Sequence, residues 1–168
     1  RPSMQAFPYD AWSRCASWAS GRPKHSDYGG ALGAFALRES IAAYLRRARG
    51  MTVNANQVSV THGAVLAMRL LVRGVLRPGE GGVVEDPGYP LARQMFEWLG
   101  AKLLPVPVDS DGLVVERLPD SRTSVRLVYV TPSHQFPTGG RLALRRRYEL
   151  TRWAAERGAL IVEDDYAG

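Results

Sequence analysis

The sequence predicts an α/β fold built on a largely parallel sheet, and three observations predict it. Short β-prone runs alternate with segments whose apolar residues recur at helical spacing. Glycine and proline punctuate the chain between those runs. The polar motifs fall directly after the apolar runs, where an open parallel sheet places its ligand sites. In chain order, residues 10–20 can form a short helix, followed by a turn-rich connection at Gly21, Arg22, Pro23, Tyr28, Gly29 and Gly30. Leu37, Ile41, Tyr44 and Leu45 then mark a helix that Gly50 is placed to stop. Residues 58–61 predict a brief strand that runs through His62 and Gly63 into a second helix carrying Leu66, Leu70 and Leu71. Residues 81–85 form the next predicted strand, ended by Asp86, Pro87 and Gly88. A helical pattern over 91–99, a strand over 103–108 and a turn at 109–112 follow. Residues 125–130 are apolar except for Arg126, as expected of a strand covered on both faces. A helix over 142–156 and a last strand over 160–162 lead into Glu163, Asp164 and Asp165.

At 168 residues and 45% hydrophobic composition, the chain can bury one core, so one domain or part of one is the simplest organisation. No stretch approaches the roughly 20 apolar residues of a membrane span, and Arg1 to Gln5 lack the apolar core of a signal peptide. The expectation is a soluble, cytoplasmic protein without a membrane partner. Cys15 stands alone and so makes no internal disulfide. The formal charge of +6 comes mainly from arginines spread over several segments. Their densest cluster, Arg141, Arg145, Arg146, Arg147 and Arg152, reads as a solvated helix face, with a phosphate or nucleic-acid contact as the alternative. Zinc-ligand spacing is absent, and no metal is expected.

Four positions carry candidate chemistry, each with a plainer explanation beside it. Thr61-His62-Gly63-Ala64-Val65 joins a strand to a helix start, where backbone N–H groups suit a phosphate. An ordinary turn explains it equally, and neither a Walker pattern nor G-x-G-x-x-G points to a nucleotide. In Glu85-Asp86-Pro87-Gly88-Tyr89-Pro90, two prolines and a glycine restrict the backbone and would aim Tyr89 toward the sheet edge, or merely pack it. Residues 131–139, with the sequence TPSHQFPTG, are rich in hydrogen-bonding groups, yet a proline-rich turn needs no ligand, and His134 can serve the loop alone. Glu163-Asp164-Asp165-Tyr166 gathers carboxylates at a strand end, which suggests a cationic or metal partner unless water screens them.

Taken together, these motifs resemble the fold-type-I pyridoxal-phosphate enzymes, the class I and II aminotransferases, over nearly the whole chain. Tyr28-Gly29, Leu32-Gly33 and Leu37-Arg38-Glu39 look like the family's entry motif. Residues 60–64 look like its phosphate turn, Asp86-Pro87-Gly88-Tyr89 its ring-stacking loop and residues 131–139 its P-T-G loop. Within the superfamily, residues 131–139 and Glu163-Asp164-Asp165-Tyr166 look most like the MocR subgroup of regulators, which join a GntR-type winged-helix DNA reader to an aminotransferase-like effector domain. The resemblance implies a three-layer, mostly parallel sheet, the large domain of the aspartate-aminotransferase type, here incomplete. It also implies pyridoxal 5'-phosphate as cofactor. The backbone of Gly63, Ala64 and Val65 would hold the phosphate, Tyr89 would stack on the ring and Asp164 would pair with the pyridine nitrogen. Tyr166 would bond the phenolic oxygen, and His134 would lie in the cofactor loop.

Departures from the family pattern sharpen the expectation. Phe136 stands where many free-standing aminotransferases have asparagine before P-T-G, Val65 where the subgroup often has glutamine, and His62 where a small hydroxyl residue is common. Lys24 and Lys102, the only lysines, lie in no Schiff-base motif, so no catalytic residue is assigned. Residues 1–168 are therefore expected to be the N-terminal part of one aminotransferase-like domain, inactive by itself. The winged helix, the Schiff-base lysine region and the small C-terminal domain would lie outside it. The expected partners are an amino acid or other amine ligand, a second copy in a homodimer of the intact parent, and DNA only through the winged helix. A segment of a genuine aminotransferase is the alternative reading, and an α/β domain without cofactor is the plainest one.

Overall fold

The computed structural model describes residues 7–22 and 29–166, so Lys24 and Tyr28 of the entry motif lie outside the described residues. The chain divides into two compact units, Arg1–Thr61 and His62–Gly168.

In the first unit, helix α1 spans Tyr9–Ser20 and α2 spans Phe35–Arg49. Gly50 ends α2 in the left-handed conformation (φ 63°), donating its N–H to Arg46, while Arg46, Arg47 and Arg49 face the negative end of the helix dipole. The residues α2 buries are Arg38 and Ala42, whereas Leu37 and Tyr44 of the expected stripe are exposed. Arg38 is held inside because its guanidinium donates to the carbonyls of Gly33 (3.1 Å) and Ala55 (2.6 Å). Residues 58–61 are not a strand. A short 3₁₀ turn, Ala55–Gln57, is closed by an Asn54/Gln57 capping box, after which Val60 donates to Leu32 and, among the described residues, no ladder forms. Gly33 (φ 94°) admits that crossing, since a Cβ there would lie 2.8 Å from the Val60 Cβ.

The second unit is a three-layer α/β sandwich. Helix α3 (Ala64–Val75) leads to β1 (Gly81–Asp86), α4 (Pro90–Trp98) and β2 (Lys102–Asp109). The two-residue β3 (Gly112–Leu113), β4 (Val125–Val130), α5 (Leu144–Arg157) and β5 (Leu160–Glu163) complete it. The sheet order is β3-β2-β1-β4-β5, parallel except for the β2–β3 hairpin. Strand alternation divides the core between its faces, with Val125 out of phase where the β1–β4 register shifts beside Gly81 and Gly82. Val84, Leu127 and Tyr129 pack with Met68, Val72, Met95 and Phe96 of α3 and α4 on one side. Val83, Val125, Val128 and Val130 pack with Leu150 of α5 on the other. Leu70 and Leu71, expected on the working face of α3, are exposed, and Met68 and Val72 take that place. No helix among the described residues is long and apolar enough to cross a membrane.

The arginine cluster on α5 departs from the expected solvated face. Arg141, Arg145 and Arg152 are exposed, and Arg145 pairs with Glu149 at 2.9 Å. Arg146 is buried instead: its guanidinium grips both carboxylate oxygens of Asp109 and donates to Gly112 (3.0 Å), clamping the β2–β3 hairpin onto α5. Arg147 is half-buried and donates to the carbonyls of Leu142 (2.9 Å) and Pro132 (2.8 Å). The hydrogen bond from Arg146 holds the Asp109 carboxyl below its ordinary 3.8. A lowered folded-state value stabilises above the unfolded value and is lost as pH falls through the folded one. The thermal midpoint of the native protein should therefore exceed that of Asp109→Asn at neutral pH. That gap should narrow below pH 3.8, as melting curves across an acid series would show.

Candidate functional site

The carboxyl ends of β1, β4 and β5 lie side by side, and the loops leaving them meet the start of α3. Among the described residues, Ala64 and Val65 of α3, Tyr89 after β1 and Asp164 after β5 line one narrow crevice with Met68 and Met95. Four of the seven expected cofactor residues thus share one wall. Gly63 is the α3 N-cap (φ 88°), and no side chain caps that helix, so the first-turn N–H groups and the positive end of the dipole face outward. His134 and Tyr166 are exposed and are not among the crevice-lining residues; the Tyr166 hydroxyl donates to the His134 carbonyl at 2.9 Å.

Local geometry accounts for each placement. Asp164 follows β5 directly, and its N–H continues the ladder by donating to Val130 at 2.9 Å. Its carboxylate accepts a 2.6 Å hydrogen bond from the Tyr129 hydroxyl. Burial, followed by that bond and the charges of Asp164, Tyr89 and Glu85, drives the Tyr129 phenol far upward, so it stays a donor at any working pH. Tyr89 is half-buried, and the Phe136 ring meets it edge-on at 5.6 Å. Gly88 lets this loop fold back, because a Cβ there would lie 2.3 Å from the Glu85 carbonyl oxygen. Arg93 holds the loop from the other side, pairing with Asp86 at 2.7 Å.

Beneath the two loops lies a polar cluster that sequence reasoning left without a role. Glu85 is 1% exposed, and one of its oxygens accepts from the Thr131 N–H (3.2 Å), the Thr131 hydroxyl (2.6 Å) and the Gln135 amide (3.2 Å). The other oxygen has no hydrogen-bond partner among the described residues. Burial raises the Glu85 carboxyl above its ordinary range, and the bonds from Thr131 and Gln135 offset part of that. One signal was present in the sequence: a carboxylate ending Gly81-Gly82-Val83-Val84, the start of a buried strand, needs internal donors. The carboxylates after β5 gather no metal-binding group among the described residues.

With this geometry in hand, the comparisons are specific. The model of the family "Aminotransferase class I and II" matches residues 7–166. An uncharacterized HTH-type transcriptional regulator, YdeL, from Bacillus subtilis is 38% identical over 96% of this chain and 35% of its own length. A probable rhizopine catabolism regulatory protein, MocR, from Rhizobium meliloti is 37% identical over 98% of this chain and 34% of its own. The chain thus spans about a third of the length of these curated relatives. Among solved structures, an α-aminoadipate aminotransferase, LysN, from Thermus thermophilus, complexed with N-(5'-phosphopyridoxyl)-L-leucine, superposes with a TM-score of 0.84 at 30% identity. It is matched over 98% of this chain and 42% of that one. By its sequence across nearly every described residue, and by its three-layer fold, the chain belongs to the aminotransferase class I and II family.

Proposed function

We propose that this chain is the cofactor-binding part of an aminotransferase-like effector domain in a MocR-type transcriptional regulator, and that its crevice takes pyridoxal 5'-phosphate. The convergence of Ala64, Val65, Tyr89 and Asp164 on one crevice carries the reading. The donor set fits the group: uncapped helix N–H groups for the phosphate, a flat tyrosine for the ring, and a carboxylate whose free lone pairs suit a protonated ring nitrogen. When bound, pyridoxal phosphate supplies a ring that accepts electrons from an amine substrate. Asp164 holds the proton on the ring nitrogen, and the Tyr129 hydroxyl fixes the orientation of that carboxylate. Tyr89 lines the crevice and Phe136 braces that ring edge-on.

Lys102 opens β2 at the amino edge of the sheet, opposite the crevice, so it is not the residue to which the cofactor is joined. That lysine, in this reading, belongs to sequence beyond residues 1–168, together with a winged-helix reader and a second subunit. The regulators similar to this chain support the effector assignment, as does Phe136 in place of an asparagine that would bond the ring oxygen. The likeness to LysN favours the second reading, a segment of a genuine aminotransferase moving an amino group between an amino acid and a 2-oxo acid.

The test is a pyridoxal phosphate titration of the full-length protein, followed by absorbance, beside Asp164→Ala. Removing a charge-assisted hydrogen bond worth about 1.5–3 kcal/mol should weaken binding by about 10- to 100-fold. A folded native protein that takes up no cofactor would defeat the reading. Specific DNA retention that responds to an amine favours the regulator; turnover of an amino acid with a 2-oxo acid favours the enzyme.

A further inference from the structure

We infer that Gln135 is the positioning residue of the crevice: its carboxamide locks the loop that carries Tyr89 to the loop that carries His134, and so sets where the aromatic wall and the Tyr166 hydroxyl stand. The inference rests on the cofactor reading above. Gln135 is 1% exposed, yet it sits in a loop, where a buried polar side chain persists only if its groups are satisfied. Its amide nitrogen donates to the Pro87 carbonyl at 2.9 Å and the Phe136 carbonyl at 2.7 Å, and lies 3.2 Å from Glu85. Its amide oxygen accepts from the Thr138 N–H (3.1 Å) and hydroxyl (2.7 Å). Its backbone closes the same loop, with Gln135 N–H donating to Gly140 and Gly139 N–H donating to Gln135, both at 2.7 Å.

The side chain bears on Tyr89 through two neighbours and on Tyr166 through a third. Pro87 stands two residues before Tyr89, so the amide bond to its carbonyl fixes the approach of that ring. Phe136, the next residue, packs edge-on against Tyr89 at 5.6 Å. His134, the preceding residue, supplies the carbonyl that receives the Tyr166 hydroxyl. Only an amide serves all of these at once. Glutamate in the ionised form keeps the acceptor for Thr138 but loses both carbonyl contacts, and leucine loses everything. Glu85 orients the amide from below, and its own second anchor, Thr131, also accepts from the Phe136 N–H at 3.1 Å.

The experiment uses the full-length protein with Gln135→Leu, Gln135→Asn and Arg146→Met. The last breaks the hairpin clamp on Asp109 without touching a crevice-lining residue. Three quantities are read: thermal unfolding without cofactor, the Kd for pyridoxal phosphate by quenching of intrinsic fluorescence, and the visible circular dichroism of the bound cofactor. Gln135→Leu should raise the Kd about tenfold and change the dichroic band, for two lost amide bonds. Gln135→Asn, one methylene too short to reach both loops, should do so more mildly, and serves if the leucine variant fails to fold. Arg146→Met should lower the unfolding midpoint and leave Kd and dichroism unchanged. Glutamine variants that merely melt earlier, with native Kd and dichroism, overturn the positioning role while leaving the cofactor reading intact. A native protein that binds no pyridoxal phosphate overturns both.

Discussion

Gly82→Ala is expected to lower the unfolding free energy by about 1–3 kcal/mol, although it adds a single methyl group to a strand. A Cβ at this position would lie 2.1 Å from one carbon of the Phe96 ring and 2.3 Å from another. Phe96 is fully buried among Val84, Met95, Leu127 and Tyr129, so the ring has no open side to move into. Phe96→Ala should cost about 3–5 kcal/mol, from lost burial and the cavity left behind. The two changes compete for one volume. The double variant should therefore cost less than the two combined by roughly 0.5–3 kcal/mol, because each relieves the fault of the other. Denaturant melts of the four proteins measure this directly. Strict additivity would mean that α4 does not rest on Gly82 as described.

Glu85→Ala should cost about 2–6 kcal/mol, as the Thr131 N–H and hydroxyl lose a buried acceptor at roughly 1–3 kcal/mol each. Glu85→Gln tests the charge separately. Burial raises the Glu85 carboxyl above its ordinary 4.5, so the folded state holds the proton more tightly than the unfolded chain. Stability from this group therefore falls as pH rises from 4.5 through the raised folded value, and is level outside that window. The native protein should lose stability relative to Glu85→Gln across that interval. Asp86, Asp164, Tyr89, Tyr129 and Arg93 surround the site, and all remain in both proteins. Parallel melting midpoints across the interval would show that folding does not raise the Glu85 carboxyl above its unfolded value.

Much of the architecture was legible because strand and helix periods are local. The apolar run 125–130 became β4 with the same bounds, buried on both faces but for Arg126, and Gly50 ended α2 as a left-handed cap. Residues 58–61 were misread because a β-prone run makes a strand only if a neighbouring ladder receives it, and among the described residues Val60 bonds to Leu32 without joining a ladder. The arginines of α5 were misread for a related reason. Helical spacing shows that Arg145 and Arg146 point in different directions, but not that Asp109 and Gly112 wait beside one of them.

The candidate site divides in the same way. The sequence by itself determined the α/β class and put the polar motifs at strand ends, because alternation, punctuation and turn chemistry act over a few residues. The order of those motifs along the chain is also that of the family. Only the tertiary structure decided that Ala64, Val65, Tyr89 and Asp164 share a crevice, that the Tyr166 hydroxyl goes to the His134 carbonyl, and that Glu85 and Gln135 hold the loops together. Gln135 and Glu85 are 50 residues apart, and Tyr129 and Asp164 are 35 apart. A hydrogen bond between such partners depends on strand order and register, which the packing of the whole sheet sets and no local pattern encodes.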